Sequence, residues 1–302
     1  MDNNTLNSFV WFIPFKSIRN FIREYVLDKD RQNNLINKKL DILNTLFYTK
    51  FIREKYSNDP KRLEHFSYKV FSQNDEDGIL NEIFKRIGIK NKFFVEFGVQ
   101  DGLECNSHFL LLQGWEGVFI EGSSEYCKKI NDNFQNPIKK NKLKVINSFI
   151  TAENINEILS TTKAVSINEI DLLSIDIDGN DYHVFNAINV INPRVVVIEY
   201  NGKFPPPIKW CMPYNPNYVW DYSDNQGASL EAIVELAESK GYKLVATNIS
   251  GVNAFFIKKE LYDYDKFTNN DSISNLYNPP QYDIKFQSGH NNIRFLQNHF
   301  DI

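Results

Sequence analysis

The sequence has few cysteines, no excess of positive charge and no long apolar run, and each of these absences excludes a class of protein. Its three cysteines, at 105, 127 and 211, are an odd number without paired spacing. This argues against a disulfide framework or a zinc knuckle and favours a reducing compartment. A net charge of −4 gives no electrostatic case for a nucleic-acid partner. With no membrane-spanning run and no signal-peptide pattern, we expect a cytoplasmic protein.

Residues 1–65 are predicted to form a helical extension. Two apolar stripes at helical spacing lie in it: Ile18, Phe21, Ile22, Tyr25 and Val26, then Ile36, Leu40, Leu43 and Phe47. We interpret them as two helices that pack on the main domain or on a partner subunit, so a homo-oligomer is expected. The alternative is a weak membrane-surface contact through the aromatic residues Phe9, Trp11, Phe12 and Phe15 and nearby basic residues.

Residues 66–260 alternate between apolar strands and helical segments. Strands are predicted at 92–97, 117–121, 143–147, 171–176 and 194–199, and helices near 75–87, 103–113, 123–134, 153–161, 181–189 and 227–240. This alternation predicts a doubly wound α/β sheet, mostly parallel. The last two runs, 242–248 and 252–258, are separated only by a turn at Gly251, so they should pair as an antiparallel terminal hairpin.

Two segments fit neither a strand nor a helix. Residues 201–226 are rich in proline and aromatic residues and leave the carboxyl end of a central strand. Open α/β sheets place their ligands at that edge, which predicts a substrate loop. Within this loop, Tyr218, Trp220 and Gln226 are expected to determine which acceptor substrate binds. The tail, 261–302, is expected to contribute to the substrate side.

The first strand ends in FVEFGVQDG, residues 94–102. Glu96 precedes a turn at Gly98, and Gly102 begins the next helix. Such a turn lets a ligand approach the backbone, while the carboxylate disfavours a pyrophosphate and suits a cationic ligand such as a sulfonium amino acid. The pattern E-x-G-x-x-x-G resembles motif I of S-adenosylmethionine (SAM) methyltransferases. Val99 and Asp101 are included among the predicted cofactor-binding residues.

Further cofactor contacts are predicted from topology. Glu121, followed by Gly122, ends the second strand, where an acid reaches ribose hydroxyls. Asn147 and Ser148 end the third strand and could face the adenine. Before the first strand, Gln73, Asp75 and Asp77 surround a helix start. They either hold the amino-acid end of the cofactor or, for Asn74 or Asp75, cap the helix.

The densest acidic cluster is LLSIDIDGNDYHVF, residues 172–185. Asp176 and Asp178 should face Glu199 and Asn201 of the next strand, because adjacent strands lie about 5 Å apart. These four oxygen-bearing residues are predicted ligands of Mg²⁺ or Mn²⁺, and Asp176 is also predicted to bind the cofactor. Hydrogen bonding to a substrate without metal is the alternative. An EF-hand is excluded because the closing glutamate is missing.

A sugar hydroxyl needs a base to remove its proton at neutral pH. The candidates are His183, Asp178 and His290. For each histidine, an ordinary structural role is the competing interpretation.

The strings SQNDEDGIL, FVEFGVQDG, GVFIEG, DLLSIDIDGND and VVVIEYN, in this order and spacing, resemble the FkbM-type branch of SAM-dependent methyltransferases. The resemblance implies O-methylation of a sugar in bacterial capsule or lipopolysaccharide biosynthesis. The most specific acceptor it suggests is a nucleotide-linked capsular heptose. The chain departs from the family's K-I-D-x-E-G motif by reading S-I-D-I-D-G, which leaves the role of each acid unassigned.

Two other functions are alternatives to methyl transfer. A nicotinamide-dependent oxidoreductase needs G-x-G-x-x-G after the first strand, and only Gly98 and Gly102 are present. A non-catalytic scaffold for glycan assembly would instead use the amino-terminal helices and the tail.

Overall fold

The computed structural model describes residues 15–282 and residue 284. His290 and the aromatic residues Phe9, Trp11 and Phe12 therefore lie outside the described residues. The described residues divide into two compact units, one comprising residues 15–48 with residue 284, and the other comprising residues 49–282. All of the sheet and the candidate site belong to the second unit.

The amino-terminal segment contains one continuous helix, α1 (Lys16–Lys55), where the sequence predicted two. The polar stretch between the two apolar stripes contains neither glycine nor proline, so nothing in it interrupts the helix. A hydrogen bond from Gln32 Nε2 to Asp28 Oδ2, 3.0 Å long, supports the helix within this stretch. Among the described residues, no helix has the length and apolar character needed to cross a membrane.

The second unit contains a seven-stranded sheet with the order β3-β2-β1-β4-β5-β7-β6. The strands are β1 (Phe93–Phe97), β2 (Glu116–Glu121), β3 (Leu143–Asn147), β4 (Ile170–Ile175), β5 (Pro193–Glu199), β6 (Tyr242–Thr247) and β7 (Asn253–Lys258). The first five pair in parallel, and β7 pairs antiparallel with both β5 and β6. This confirms the predicted doubly wound sheet and its antiparallel terminal hairpin, the arrangement of class I methyltransferases.

The helices that accompany the sheet are short. They are α2 (Glu76–Ile87), α3 (His108–Leu112), α4 (Ser124–Asn133), α5 (Gln135–Lys139), α6 (Ile155–Ser160), α7 (Asp181–Ala187), α8 (Leu230–Ser239) and α9 (Ile273–Leu276), with 3₁₀ turns at Leu63–Phe66, Lys163–Ser166 and Lys259–Leu261. The helix predicted at 103–113 is only α3. The preceding residues form a loop because the buried carboxylate of Glu96 accepts hydrogen bonds from the backbone of Asn106 and Ser107.

Apolar side chains cover both faces of the sheet. Alternate residues of β1 point to opposite faces, so Val95 and Phe97 join one core cluster while Phe94 joins the other. All five residues of β1 are buried. A carboxylate in this strand, Glu96, is therefore held inside the protein and must find hydrogen-bond donors there.

The described part of the tail packs beside the sheet. Thr247 Oγ1 at the end of β6 donates to the carbonyl of Leu276 over 2.6 Å, and the Tyr277 hydroxyl donates to the carbonyl of Gly202 over 2.5 Å. The second contact ties the tail to the start of the predicted substrate loop.

Gly98 allows the ends of β1 and β4 to approach closely. Its φ is +68°, and a Cβ atom built on it would lie 1.7 Å from the carbonyl oxygen of Asp176. Gly102, with φ +78°, lies against the ring of Phe134, which a Cβ atom would approach to 2.7 Å. Both glycines of the turn motif are therefore required by contacts within the protein.

We predict that Gly98→Ala destabilises the protein much more than Gly227→Ala does. Gly227 has a matched φ of +65°, but no atom lies within 4 Å of a Cβ atom there. Both variants incur left-handed strain of about 1–2 kcal/mol. Gly98→Ala should lose about 1–3 kcal/mol more, through the overlap with Asp176. Urea denaturation measures both, and equal losses would contradict the proposed close approach.

We also predict that His108 makes stability fall at acidic pH. Its ring stacks on Phe71 with 4.0 Å between centroids, and burial lowers the pKa of His108 to about 4. The unfolded chain takes up this proton near the ordinary value of 6.5. The contribution of His108 to the free energy of unfolding is therefore fully present above about pH 6.5. It declines by up to about 3 kcal/mol as the pH falls to about 4. His108→Phe should flatten this part of the curve, and an unchanged slope would refute the assignment.

Candidate functional site

Two adjoining cavities open at the carboxyl ends of the parallel strands. The β2-side cavity has a volume of about 710 Å³, and the β5-side cavity about 480 Å³. Seven residues line both of them: Gln73, Gly98, Gln100, Asp176, Asp178, Trp220 and Tyr222. The cavities thus meet along a shared wall above β1 and β4, where an open α/β sheet places its ligand.

Six of the predicted cofactor-binding residues line the β2-side cavity: Gln73, Gly98, Glu121, Gly122, Ser148 and Asp176. The Glu121 carboxylate accepts hydrogen bonds from the backbone N–H groups of Gln100, over 2.9 Å, and Ser123, over 2.8 Å. These two bonds fix its orientation and leave lone pairs for a ligand. Asn147 does not line the cavity. Its amide donates to the carbonyls of Glu121 and Gly122 and so shapes the loop behind them.

Sequence reasoning missed the apolar wall of the β2-side cavity. It is formed by Tyr126, Phe149, Ile150, Ile177 and Val219. These residues lie in connections after strands or in helix α4, and no motif in the sequence marks them. A flat apolar ring, such as a nucleobase, is the kind of group that this wall can bury.

Glu96 lines neither cavity, contrary to the contact with the cofactor that the sequence predicted. Its Oε1 accepts from Asn106 N over 2.8 Å and from Ser174 Oγ over 3.2 Å. Its Oε2 accepts from both the backbone N–H, over 2.9 Å, and the hydroxyl of Ser107. Burial raises the pKa of Glu96, and these donors oppose the rise. The geometry gives Glu96 the task of holding the loop that follows β1.

The other residues of the turn motif divide between cavity and framework. Val99 lines the β5-side cavity, whereas Asp101 lines neither cavity and accepts a hydrogen bond from Leu103 N over 3.0 Å. Gln100, which was not predicted, lines both cavities and has a positive φ of 50°.

The segment before helix α2 contributes two residues to the site, Gln73, as predicted, and Asn74. Asp77 instead accepts from the backbone N–H groups of Val70, Phe71 and Ser72 through one oxygen. Asp75 stands at the N-cap position without capping the helix, and it accepts from Ile249 N over 3.1 Å. Both acids therefore support the fold. Neither lines a cavity as a cofactor-binding residue would, and Asp75 does not cap the helix through its side chain.

Three of the predicted metal ligands do come together. Asp176, Asp178 and Glu199 each offer an oxygen, and these oxygens all lie within 4.8 Å of one another. Glu199 Oε2 is buried without a hydrogen-bond partner in the part of the chain that the structure describes. Burial raises the pKa values of Asp176 and Glu199 well above their ordinary range, and neighbouring carboxylates raise them further. Such a cluster calls for a cation or a hydroxyl donor to offset it.

Asp181 fixes the conformation of the loop after β4. Its carboxylate accepts from Ile177 N over 2.8 Å and Gly179 N over 2.9 Å, while burial raises its pKa to about 6. Between these two donors, Asp178 adopts a positive φ of 55°. Asparagine and aspartate tolerate this left-handed conformation better than most residues do. Asp181 thus positions Asp178 at the junction of the two cavities.

His183 and Asn201 have other roles than those predicted. His183 lines neither cavity, and its Nε2 lies 2.8 Å from the carbonyl of Met212, so the geometry does not support it as the base. Asn201 lines the β5-side cavity, but its amide donates to the carbonyls of Asp224 and Gln226. Its Oδ1 accepts from Lys203 N over 3.2 Å. Asn201 therefore fastens the substrate loop and is not free as a metal ligand.

Residues 218–226 form an arch over the shared wall, which we call the aromatic arch. At one end, the Tyr218 ring lies on Gly179, where a Cβ atom would come within 2.4 Å of it. At the other end, Asn201 holds Asp224 and Gln226. Between these anchors, Trp220 and Tyr222 face the cavities with 4.8 Å between their ring centroids.

Comparison with known proteins agrees with this geometry. Residues 149–244, less than half of the chain, match the family model described as the methyltransferase FkbM domain. The match includes Asp176, Asp178, Glu199 and the aromatic arch. None of the curated proteins matches the sequence.

Solved structures with a similar fold include two methyltransferases. One is an O-methyltransferase from Bacillus cereus in complex with S-adenosylhomocysteine (SAH), at 15% identity and a TM-score of 0.39, covering 59% of this chain and 77% of that one. The other is a SAM-dependent methyltransferase from Clostridium acetobutylicum, at 11% identity and a TM-score of 0.37, covering 59% and 90%. The family match supports a methyltransferase assignment over residues 149–244.

We predict that substitutions of Glu121 and Glu96 have different effects, the first on SAH binding and the second on stability. Glu121→Gln should weaken SAH binding about tenfold or more while changing stability little, because it faces the cavity. Glu96→Ala should lower the free energy of unfolding by about 2–4 kcal/mol, because it leaves buried N–H groups without acceptors. Calorimetric titration with SAH and urea denaturation measure the two effects. If Glu96→Ala lost SAH binding at full stability, the framework role assigned to Glu96 would be wrong.

Proposed function

We propose that this methyltransferase transfers the methyl group of SAM to a hydroxyl of a sugar, at the junction of the two cavities. The observation that carries the proposal is the shared wall, where Asp176 and Asp178 line both cavities and Glu199 completes an acidic cluster. A donor on one side and an acceptor on the other would be brought together at these carboxylates. Proximity and orientation of this kind account for much of the rate in bimolecular transfer.

The residues of the β2-side cavity fit SAM. Glu121 presents a carboxylate, held by two backbone N–H groups, where ribose hydroxyls would bind. Tyr126, Phe149 and Ile150 supply an apolar wall for the adenine, and Gln73 and Gln100 supply polar groups toward the shared wall. When bound, SAM supplies an electrophilic methyl group. The acidic junction favours its positively charged sulfonium over neutral or anionic ligands.

The cluster of Asp176, Asp178 and Glu199 also fits Mg²⁺ or Mn²⁺. Three carboxylate oxygens within 4.8 Å of one another, one of them buried and unpartnered, form a donor set that hard divalent cations prefer. A cation held there would lower the pKa of an acceptor hydroxyl and fix its position. Asn201 is not needed for this set, since its amide fastens the aromatic arch.

Asp178 is the residue best placed to accept the acceptor's proton. It is more exposed than Asp176 and Glu199, and it lies where the cavities meet. Asp181 holds the surrounding loop in place, so the Asp178 carboxylate is oriented without taking part in that scaffold. His290 stays a prediction outside the described residues.

The proposed setting is bacterial capsule or lipopolysaccharide biosynthesis, with heptose among the candidate sugars, and the resemblance to the FkbM branch supports it. Any nucleotide on the acceptor would have to keep its phosphates away from the carboxylates of the shared wall, because like charges at short range repel. For the same reason the pyrophosphate of a nicotinamide dinucleotide is disfavoured at the shared wall, beside Asp176 and Asp178.

The proposal is tested with SAM labelled in its methyl group. The protein is incubated with free sugars, methyl glycosides and nucleotide-linked sugars, and the products are hydrolysed and analysed for labelled O-methyl sugars. Asp178→Asn should reduce kcat about a hundredfold or more, the usual contribution of a positioned base. SAH binding without a labelled sugar from any acceptor would refute the sugar assignment. Full activity of Asp178→Asn would favour a non-catalytic role for the cluster.

The metal has a separate prediction. Mn²⁺ alone, titrated by calorimetry, should bind the wild-type protein and bind Glu199→Gln at least about tenfold more weakly, because one charged oxygen is lost. The control is Glu104→Gln, a residue of the cavity rim that pairs with Lys69. Chelation by EDTA should lower the methyl-transfer rate, and Mn²⁺ should restore it. Equal Mn²⁺ affinity in all three proteins would remove the metal from the proposal.

A further inference from the structure

The β5-side cavity is strongly acidic. Five carboxylate residues line it: Glu104, Asp176, Asp178, Glu199 and Asp224. Lys203 is the one basic residue among its described lining residues, and its ammonium group already pairs with Asp224. A divalent cation at the cluster would offset only part of this charge. A pyrophosphate inside the cavity would therefore meet net repulsion.

Three exposed aromatic residues line the same cavity, and two of them, Trp220 and Tyr222, lie together on the aromatic arch. Trp220 keeps 39% and Tyr222 keeps 85% of its surface accessible, which is unusual for large aromatic residues beside a buried cluster. The Trp220 indole N–H donates to the carbonyl of Ser223 over 3.0 Å, which fixes the edge of its ring. The two rings contact each other, and the exposed part of each is available to a ligand.

The arch that carries these rings is anchored independently of any ligand. Tyr218 donates to the carbonyl of Asn225 over 3.1 Å and lies on Gly179, while Asn201 holds the far end. Because the arch is held at both ends, the rings need little ordering when a ligand binds. Such preorganisation raises affinity.

We infer that Trp220 and Tyr222 form a stacking surface for one face of the acceptor's sugar ring, and that the ring enters the cavity without a phosphate group. The inference rests on the proposed function. The C–H groups on one face of a sugar ring are apolar and slightly positive, so they suit the negative face of an aromatic ring. The hydroxyls on its edge are donors, and they match the acceptor-only carboxylates of Asp176, Asp178 and Glu199.

Trp220 and Tyr222 are thus assigned as specificity-determining residues. The carboxylates would select for hydroxyl donors and against phosphate, while the rings would select for a flat C–H face. The acceptor class is an uncharged glycoside or glycan end. A nucleotide-linked sugar is the alternative that an experiment must distinguish.

The experiment uses saturation-transfer NMR on the SAH-loaded full chain. The probes are methyl glycosides of several hexoses and heptoses, each paired with the nucleoside-diphosphate form of the same sugar. Saturating the aromatic protons of the protein should mark the C–H protons of at least one glycoside. Its apparent Kd should be about tenfold weaker in Trp220→Ala, the loss expected for one stacked ring.

Two controls separate stacking from general damage. Trp210→Phe alters a tryptophan that stacks on Phe204 at 4.4 Å and lines neither cavity, so it should bind the glycoside like the wild type. Trp220→Phe retains a ring and should recover most of the affinity that Trp220→Ala loses. Titration with SAH alone checks each variant's cofactor site.

The outcomes are distinct. Loss of glycoside contact in Trp220→Ala with SAH binding retained supports the stacking surface. Tighter binding of the nucleotide-linked partner than of its glycoside, equal binding by Trp220→Ala, or no glycoside signal at all would overturn the inference. Failure of the wild-type protein to bind SAH would instead contradict the proposed function on which the inference rests.

Discussion

The site depends on the close approach of Gly98 to the carbonyl of Asp176. This contact brings the ends of β1 and β4 together, and it places Asp176 and Asp178 on the wall that both cavities share. A side chain at residue 98 would occupy the space where the two strand ends meet. The β2-side and β5-side cavities are therefore adjacent because one residue lacks a side chain.

Buried carboxylates near the strand ends serve two different purposes. Glu96 and Asp181 each accept backbone hydrogen bonds on both carboxylate oxygens and so hold the loops that follow β1 and β4. Glu199 has a buried oxygen with no partner among the described residues. The loop-holding acids bear the cost of burial through the donors that they organise. The carboxylates of the cluster keep their desolvation penalty until a ligand supplies a positive charge or hydroxyl donors. In this respect a binding site differs from a structural network, whose polar groups are already satisfied.

The sequence predicted the order and type of the strands because each is a dense apolar run bounded by turn residues. Seven of its predicted site residues line the β2-side cavity: Gln73, Gly98, Glu121, Gly122, Ser148, Asp176 and Asp178. It could not distinguish Glu96 from Glu121, since both acids stand at or near the end of a strand. The difference lies in which backbone N–H groups turn toward them, and that depends on loops. The direction of His183 was equally hidden, because it depends on Met212 in a distant segment.

The apolar wall and the long helix show the same limit. Phe149 and Ile150 belong to a loop whose path no pattern specifies, and the polar stretch of α1 reads as a break although it contains no residue that ends a helix.

The contact of the Tyr218 ring with Gly179 couples the position of the aromatic arch to that of the loop that carries Asp178. Gly179 belongs to the loop that follows β4, and Tyr218 begins the arch, so neither can shift without displacing the other. Divergence toward new acceptors would then be confined to positions 219–224. Side chains there can be exchanged while the contact of Tyr218 with Gly179 and the hydrogen bonds of Asn201 to the arch backbone are kept.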